Sequence, residues 1–182
     1  MANSLIVGGL KSDMQVSIAT PDNYRPAKEV LDFAAGNDAF TLVNDPIKAV
    51  ENADVVITDT WTSMGQEEEK KIRQQAFQGY QINDELMAAA KPGAMVMHCL
   101  PAYRGQEITE KIFEEHASEI FEEAENRLHA QKAVMVTLMK YKYTEMHKNG
   151  KVTRQKPNAL RCICRSLGNS WLAEICVRVQ NT

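Results

Sequence analysis

The sequence predicts an α/β domain built on a parallel sheet with helices on both faces. Three observations lead there. Short runs rich in β-branched residues alternate with helix-period segments. Those runs are continuously apolar, as in strands buried on both faces. Two of them end in charged or reactive side chains, where an open parallel sheet places its ligands. The 182 residues, 44% of them hydrophobic, are enough for one packed domain.

The elements follow in order. Residues 3–11 read as a helix containing Gly8-Gly9. "MQVSIAT" (14–20) is a β-rich run closed by Pro21. Pro26 suits a first helical turn, opening "AKEVLDFAAG" with Gly36 as its stop. "FTLV" (40–43) is a short strand, and Asn44 or Asp45 can cap a helix that has Pro46 at its first position. "ADVVITD" (53–59) is a buried strand. "EEEKKIRQQAFQ" is a helix whose acidic first turn suits the macrodipole. "NDELMAAA" is a capped helix, "GAMVMHC" a second buried strand, and "ITEKIFEEH" and "EEAENRLHAQKAVMVTLM" are helices.

Charge divides the chain. Residues 1–139 carry a balance of −10 and residues 140–182 a balance of +7, within a net charge of −3. The boundary is therefore placed between 139 and 140, with 140–182 a basic, poorly ordered C-terminal extension. Within it, "AEICVRV" (173–179) alternates well enough to be a strand. Cys99 lies in the body, and Cys162, Cys164 and Cys176 lie in the extension. This is no secreted disulfide framework, so a reducing compartment is the default. No apolar run approaches the roughly 20 residues of a membrane span, and no signal peptide is expected. Cys162-x-Cys164 lacks the second pair a zinc site needs, and His116, His129 and His147 lack ligand spacing. The basic extension has no aromatic interleaving of the kind that marks nucleic-acid binding.

The chemistry is expected at two strand ends. In "DTWTSMG", Asp59 offers a fixed negative charge, Ser63 a hydroxyl, and Gly65 close backbone approach, a set suited to an ammonium-bearing substrate. The plainer reading of Asp59 is a cap of the following helix, and of Trp61 and Met64, packing. In "MHCLPAYRG", neighbouring strand residues point to opposite faces, so His98 and Cys99 are not expected to form a dyad. The turn can instead present Cys99 and the Leu100 carbonyl, with Pro101 locking it and a cis bond allowed. The plainer reading of Cys99 is an inert buried thiol. Arg127 can reach a phosphate bidentately or pair with Glu123, and Arg104 presents the same choice. Lys70, Lys71 and Arg73 read as a solvated helix face.

"DTWTSMGQEEE", "MHCLPAYRGQEIT" and "EEAENRLHAQKAVM", in this order and spacing, resemble the C-terminal, ornithine-binding domain of ornithine carbamoyltransferases over about residues 2–139. The resemblance implies a doubly wound, Rossmann-like parallel sheet, here missing its first strand. It implies that Asp59, Ser63 and the Met64 backbone hold ornithine. Cys99 lies at the reacting centre with the Leu100 carbonyl, and Cys99, Leu100 and Arg127 face carbamoyl phosphate. The products are citrulline and phosphate, in arginine biosynthesis. No metal or organic cofactor, nucleic acid or membrane is implied. The setting is cytoplasmic, or a plastid or mitochondrion if a transit segment was lost. The family's N-terminal domain, which carries most of the carbamoyl phosphate site, has no counterpart here. The chain alone is accordingly expected to be inactive, and the family's trimeric assembly is in question for it. Asn3 lies beyond the family's ornithine-binding asparagine and is given no role. A lost first strand would leave two neighbouring strand edges unpaired. The lesser alternative is that "AEICVRV" fills that position. The rival readings of function are an amino-acid-binding remnant, a truncated product without function, and a relative acting on putrescine or an acetylated amine. Ser63-Met64-Gly65 favours ornithine.

Overall fold

The computed structural model describes residues 1–62, 69–149 and 176–180. Five strands form one sheet: β1 (Gln15–Ala19), β2 (Phe40–Val43), β3 (Val55–Thr58), β4 (Met95–His98) and β5 (Cys176–Gln180), in the order β2-β1-β5-β3-β4. β1 and β2 pair in parallel, as do β3 and β4, and β5 runs antiparallel to both β1 and β3. The four parallel strands therefore open their carboxyl ends on one side.

The helices are α1 (Ala2–Lys11), α2 (Lys28–Ala34), α3 (Pro46–Val50), α4 (Lys70–Ala76), α5 (Asp84–Ala89), α6 (Glu110–Glu115) and α7 (Ala117–Asn149), with a 3-10 turn at Asp22–Tyr24. They cover both faces of the sheet. Val55 and Ile57 of β3 join Val16 and Ile18 of β1 in a cluster with Ile6 and Leu10 of α1. Val56, between them, joins the opposite cluster of Val50, Leu86, Val96, Ile112 and Ile120. The period of two along a strand produces this division. Each such buried side chain stabilises the fold by about 1.5–3 kcal/mol.

Local chemistry sets the helix starts. The Asp45 carboxylate accepts from the Ile47 and Lys48 amides, with Pro46 at the first helical position. Asn83 caps α5 and Thr109 caps α6. Ala27 precedes α2 and has no capping side chain, and its amide donates instead to Oδ1 of Asn3, 3.0 Å away. Pro26 thus lies ahead of that helix rather than in its first turn. Gly36, at φ +76°, ends the segment in a conformation that costs glycine least.

Two expectations are corrected, and α7 runs on past the charge boundary. α4 begins at Lys70 with Glu69 at its N-cap, so its first helical turn carries no acid. β4 is an edge strand rather than a buried one, and Met95 is 44% exposed. The boundary at 139/140 falls inside α7, which runs on to Asn149, and part of the basic extension lies in the sheet as β5. Charge changes sign there, but a helix needs only continued backbone hydrogen bonding and has no reason to stop at a change of charge. Cys162, Cys164, His147's side chain and the rest of the extension lie outside the described residues.

α7 also covers the edge of β4. The Val96 amide donates to Glu119 Oε2 at 3.1 Å, and Glu123 lies one turn on, close enough to the His98 backbone for its amide to hold the Glu123 carboxyl down. Four helical residues rise about 6.0 Å, and two strand residues about 6.6 Å. Acids at i and i+4 therefore match alternate amides of an edge strand.

Candidate active site

Asp59 and Cys99 leave the sheet side by side. In the β3–β4 register Thr58 lies opposite His98, so the next residues of the two strands are neighbours. A carboxylate oxygen of Asp59, a ring nitrogen of His98 and the Cys99 sulfur all lie within 4.8 Å of one another. Asp59 Oδ1 accepts from the Thr60 amide at 2.7 Å, which fixes the carboxylate at the strand end. It does not cap α4, which starts at Lys70. Thr60 Oγ1 donates to the Thr62 carbonyl at 2.9 Å and holds the departing chain in a turn.

Beyond β4 the turn rests on a buried pair. Leu100 adopts φ +53° and is followed by a cis bond to Pro101. Its amide donates to His98 Nδ1 at 3.0 Å, so Nδ1 is the unprotonated nitrogen and Nε2 carries the proton. Nε2 faces Glu107 Oε1 at 3.2 Å, and the same oxygen accepts from the Tyr103 amide at 2.6 Å. His98 and Glu107 are both fully buried. Together they tie the turn at Leu100 and Tyr103 to the sheet. As expected of strand neighbours, no hydrogen bond joins His98 to Cys99, since both imidazole nitrogens are engaged elsewhere.

The electrostatics favour a neutral thiol. Burial pushes the Cys99 thiol far above the usual range, and the Asp59 charge and its hydrogen bond to the thiol push the same way. Burial likewise raises the Glu123 carboxyl, and the nearby Asp59 charge adds to this. The His98 backbone amide and the His98 ring pull it back. A cation entering between these acids would relieve both shifts.

The other sequence candidates fall into two groups. Ser63 and Met64 lie outside the described residues. Arg127 is exposed on α7, one turn past Glu123. Arg104 pairs with Glu114 and lies over the Phe113 ring at 4.5 Å, the plainer of its two readings. Lys70 and Lys71 are exposed as expected, but Arg73 is not. It is 4% exposed, stacks over Tyr24 at 5.1 Å and donates to Glu69 at 3.0 Å. The helix turns this position toward the aromatic cluster of Tyr24, Trp61, Phe77 and Tyr80, where a guanidinium stacks favourably. Trp61 is a packing residue, 7% exposed. Residue-level reasoning does not reach Glu107, and it names Glu123 only as an ion-pair partner for Arg127. Their signal was present only as two acids inside the "GQEIT" and "EEAENR" segments, where nothing in spacing separates them from surface glutamates.

Comparison with known proteins adds three findings. Residues 1–138 match the family model for the aspartate/ornithine carbamoyltransferase Asp/Orn binding domain. The chain belongs to this family. The ornithine carbamoyltransferase of Geobacter metallireducens is 48% identical over 142 residues, which covers 77% of this chain and 47% of that protein. The crystal structure of anabolic ornithine carbamoyltransferase from Campylobacter jejuni aligns with TM-score 0.74 at 42% identity, over 78% of this chain and 48% of that one. The enzyme from Pyrococcus furiosus aligns with TM-score 0.68 at 46% identity, over 74% of this chain and 45% of that one. The chain spans about half the length of the relatives it matches. The doubly wound architecture expected from the sequence is that of this carbamoyltransferase domain.

The Asp59–His98–Cys99 trio of the carbamoyltransferase domain is poorly suited to a metal ion. His98 could ligate only by giving up Glu107 or the Leu100 amide, and a ligating Cys99 would have to become a thiolate against its surroundings.

Proposed function

We propose that the chain is the amino-acid half of an ornithine carbamoyltransferase. Asp59, with Ser63 and the Met64 backbone, binds the amino-acid end of ornithine. Cys99 and the Leu100 carbonyl flank the δ-amine and the carbamoyl group, and Arg127 meets carbamoyl phosphate. In the reaction the unprotonated δ-amine attacks the carbamoyl carbon. A C–N bond forms, the amine proton is lost, and the C–O bond to phosphate breaks with its electron pair leaving on phosphate. Citrulline and phosphate result. The residues contribute alignment and charge stabilisation rather than a covalent step. We propose the cytoplasm as the setting, since a site built around a thiol is kept intact by a reducing compartment. Among the described residues no helix is long and apolar enough to cross a membrane.

One observation supports this reading above the others. An acid and a thiol, within 4.8 Å, stand at the carboxyl ends of adjacent parallel strands, where a carboxylate and a polarisable group can share one ammonium.

The test uses the purified chain. Ornithine at millimolar concentration should raise the melting temperature, by mass action on the native state. Asp59→Asn should abolish the shift. Citrulline formation from ornithine and carbamoyl phosphate should be undetectable for the chain alone. Turnover would show that residues 1–182 suffice for the reaction. No shift at any ornithine concentration would overturn the assignment of the site.

A further inference from the structure

We propose that the gap between β1 and β3 is a strand-binding slot and that the chain fills it with its own C-terminal strand, Cys176–Gln180, supplied in cis. In the sheet order β2-β1-β5-β3-β4, β1 and β3 do not touch each other. Without β5 the sheet divides into two separate two-stranded ribbons, and two strands alone are marginal in water. With β5 in place, the residues bordering the slot are deeply buried. Val16, Ile18, Ala19 and Val56 are 0–1% exposed. Empty, the slot would leave their apolar side chains uncovered and the facing amides and carbonyls of β1 and β3 without strand partners.

The register shows how this strand suits the slot. Val177 lies opposite Ile18 and Ile57, and Val179 opposite Val16 and Val55. All four partners belong to the cluster beneath α1. Both valines thus take register positions on the apolar α1 face, and the strand continues the β1 and β3 pattern between them. Arg178 takes the one mismatched position, opposite Ser17 and the fully buried Val56. The antiparallel direction sets β5 apart from the parallel strands and their helical crossovers. Residues 150–175 join it to α7, and 26 residues reach roughly 90 Å at full extension, so the connection imposes no limit on delivery in cis. By this reading the basic extension is a structural part of the domain, and the slot recognises an extended segment with valine-like residues at alternate positions.

The test uses the full chain. Cys176 lies opposite Ala19, at the Cα separation of an antiparallel pair, which a disulfide can bridge. Ala19→Cys, oxidised and mapped by mass spectrometry, should give a 19–176 link in a monomer. Ser17→Cys, two register positions away, should not link to Cys176. Arg178→Val should raise the melting temperature, whereas Val177→Pro should lower it and remove hydrogen-exchange protection from the amides of β1 and β3. Absence of the 19–176 link, equal linking from position 17, or a link found only between two chains would overturn the proposal. So would a melting temperature indifferent to both substitutions at 177 and 178.

Discussion

Replacing His98 by alanine should remove more stability than any other single change at the site. The imidazole makes two contacts inside the protein, accepting from the Leu100 amide at 3.0 Å and facing Glu107 at 3.2 Å. Its loss leaves the Glu107 carboxyl, fully buried, with the Tyr103 amide as its remaining hydrogen-bond donor among the described residues. Leaving a buried acceptor without its donor costs about 1–3 kcal/mol, and the cavity left by the ring adds to that, a large fraction of the roughly 5–15 kcal/mol that holds a domain folded. Glu107→Gln is the matched control. It keeps an oxygen for the Tyr103 amide and for the His98 ring and leaves no cavity, so its cost should be smaller, about the 1 kcal/mol of an altered hydrogen bond. Urea unfolding followed by tryptophan fluorescence measures both, and hydrogen exchange at Leu100 and Tyr103 reports whether the turn loosens first. Equal losses for the two variants, or a loss below about 1 kcal/mol for His98→Ala, would refute the claim that this pair anchors the turn.

Three further predictions can be checked independently. Asp59→Asn should lower the Cys99 thiol toward its ordinary range and speed alkylation by iodoacetamide at pH 8, because the Asp59 charge is second only to burial in raising it; an unchanged or slower rate would contradict this. Glu123 is raised in the folded protein, so its favourable contribution is complete below the ordinary glutamate range and is lost as pH rises through the folded value. Glu123→Gln should therefore gain stability relative to the parent between pH 4 and pH 7, and parallel urea midpoints at the two pH values would refute the assignment. The adjacent glycines of α1 should behave oppositely. A Cβ at Gly9 would meet Val16 Cγ2 at 2.6 Å, whereas one at Gly8 meets nothing within 4 Å. Gly8→Ala should gain up to about 1 kcal/mol from helix propensity, and Gly9→Ala should lose about 1–2 kcal/mol after overpacking offsets that gain. Thermal melts with the same sign for both would refute the packing argument.

The parallel strands and capped helices were legible because each carries its own local cause. Val-Val-Ile at 55–57 can only be a doubly buried strand or core helix, and its short length settles it. Asp45-Pro46 and Asn83 state their helix starts outright. The neighbouring of Asp59 and Cys99 followed from strand order, since residues leaving adjacent parallel strands must emerge together. What stayed hidden depends on contacts between distant segments. Arg73 looks like its exposed neighbours Lys70 and Lys71 until an aromatic cluster assembled from residues 24, 61, 77 and 80 comes to lie beneath it. Glu107 is one of 24 acids until the buried ring of His98 selects it. The alternation at 173–179 marked a strand, but no local feature says between which partners it lies.

The acids along α7 also give the sheet a guarded border. Any foreign strand seeking to extend the sheet beside Cys99 would have to compete with Glu119 for the Val96 amide and first lift the helix away. Glu119→Ala should therefore free the Val96 amide and open this border to self-association before the interior of the domain has opened.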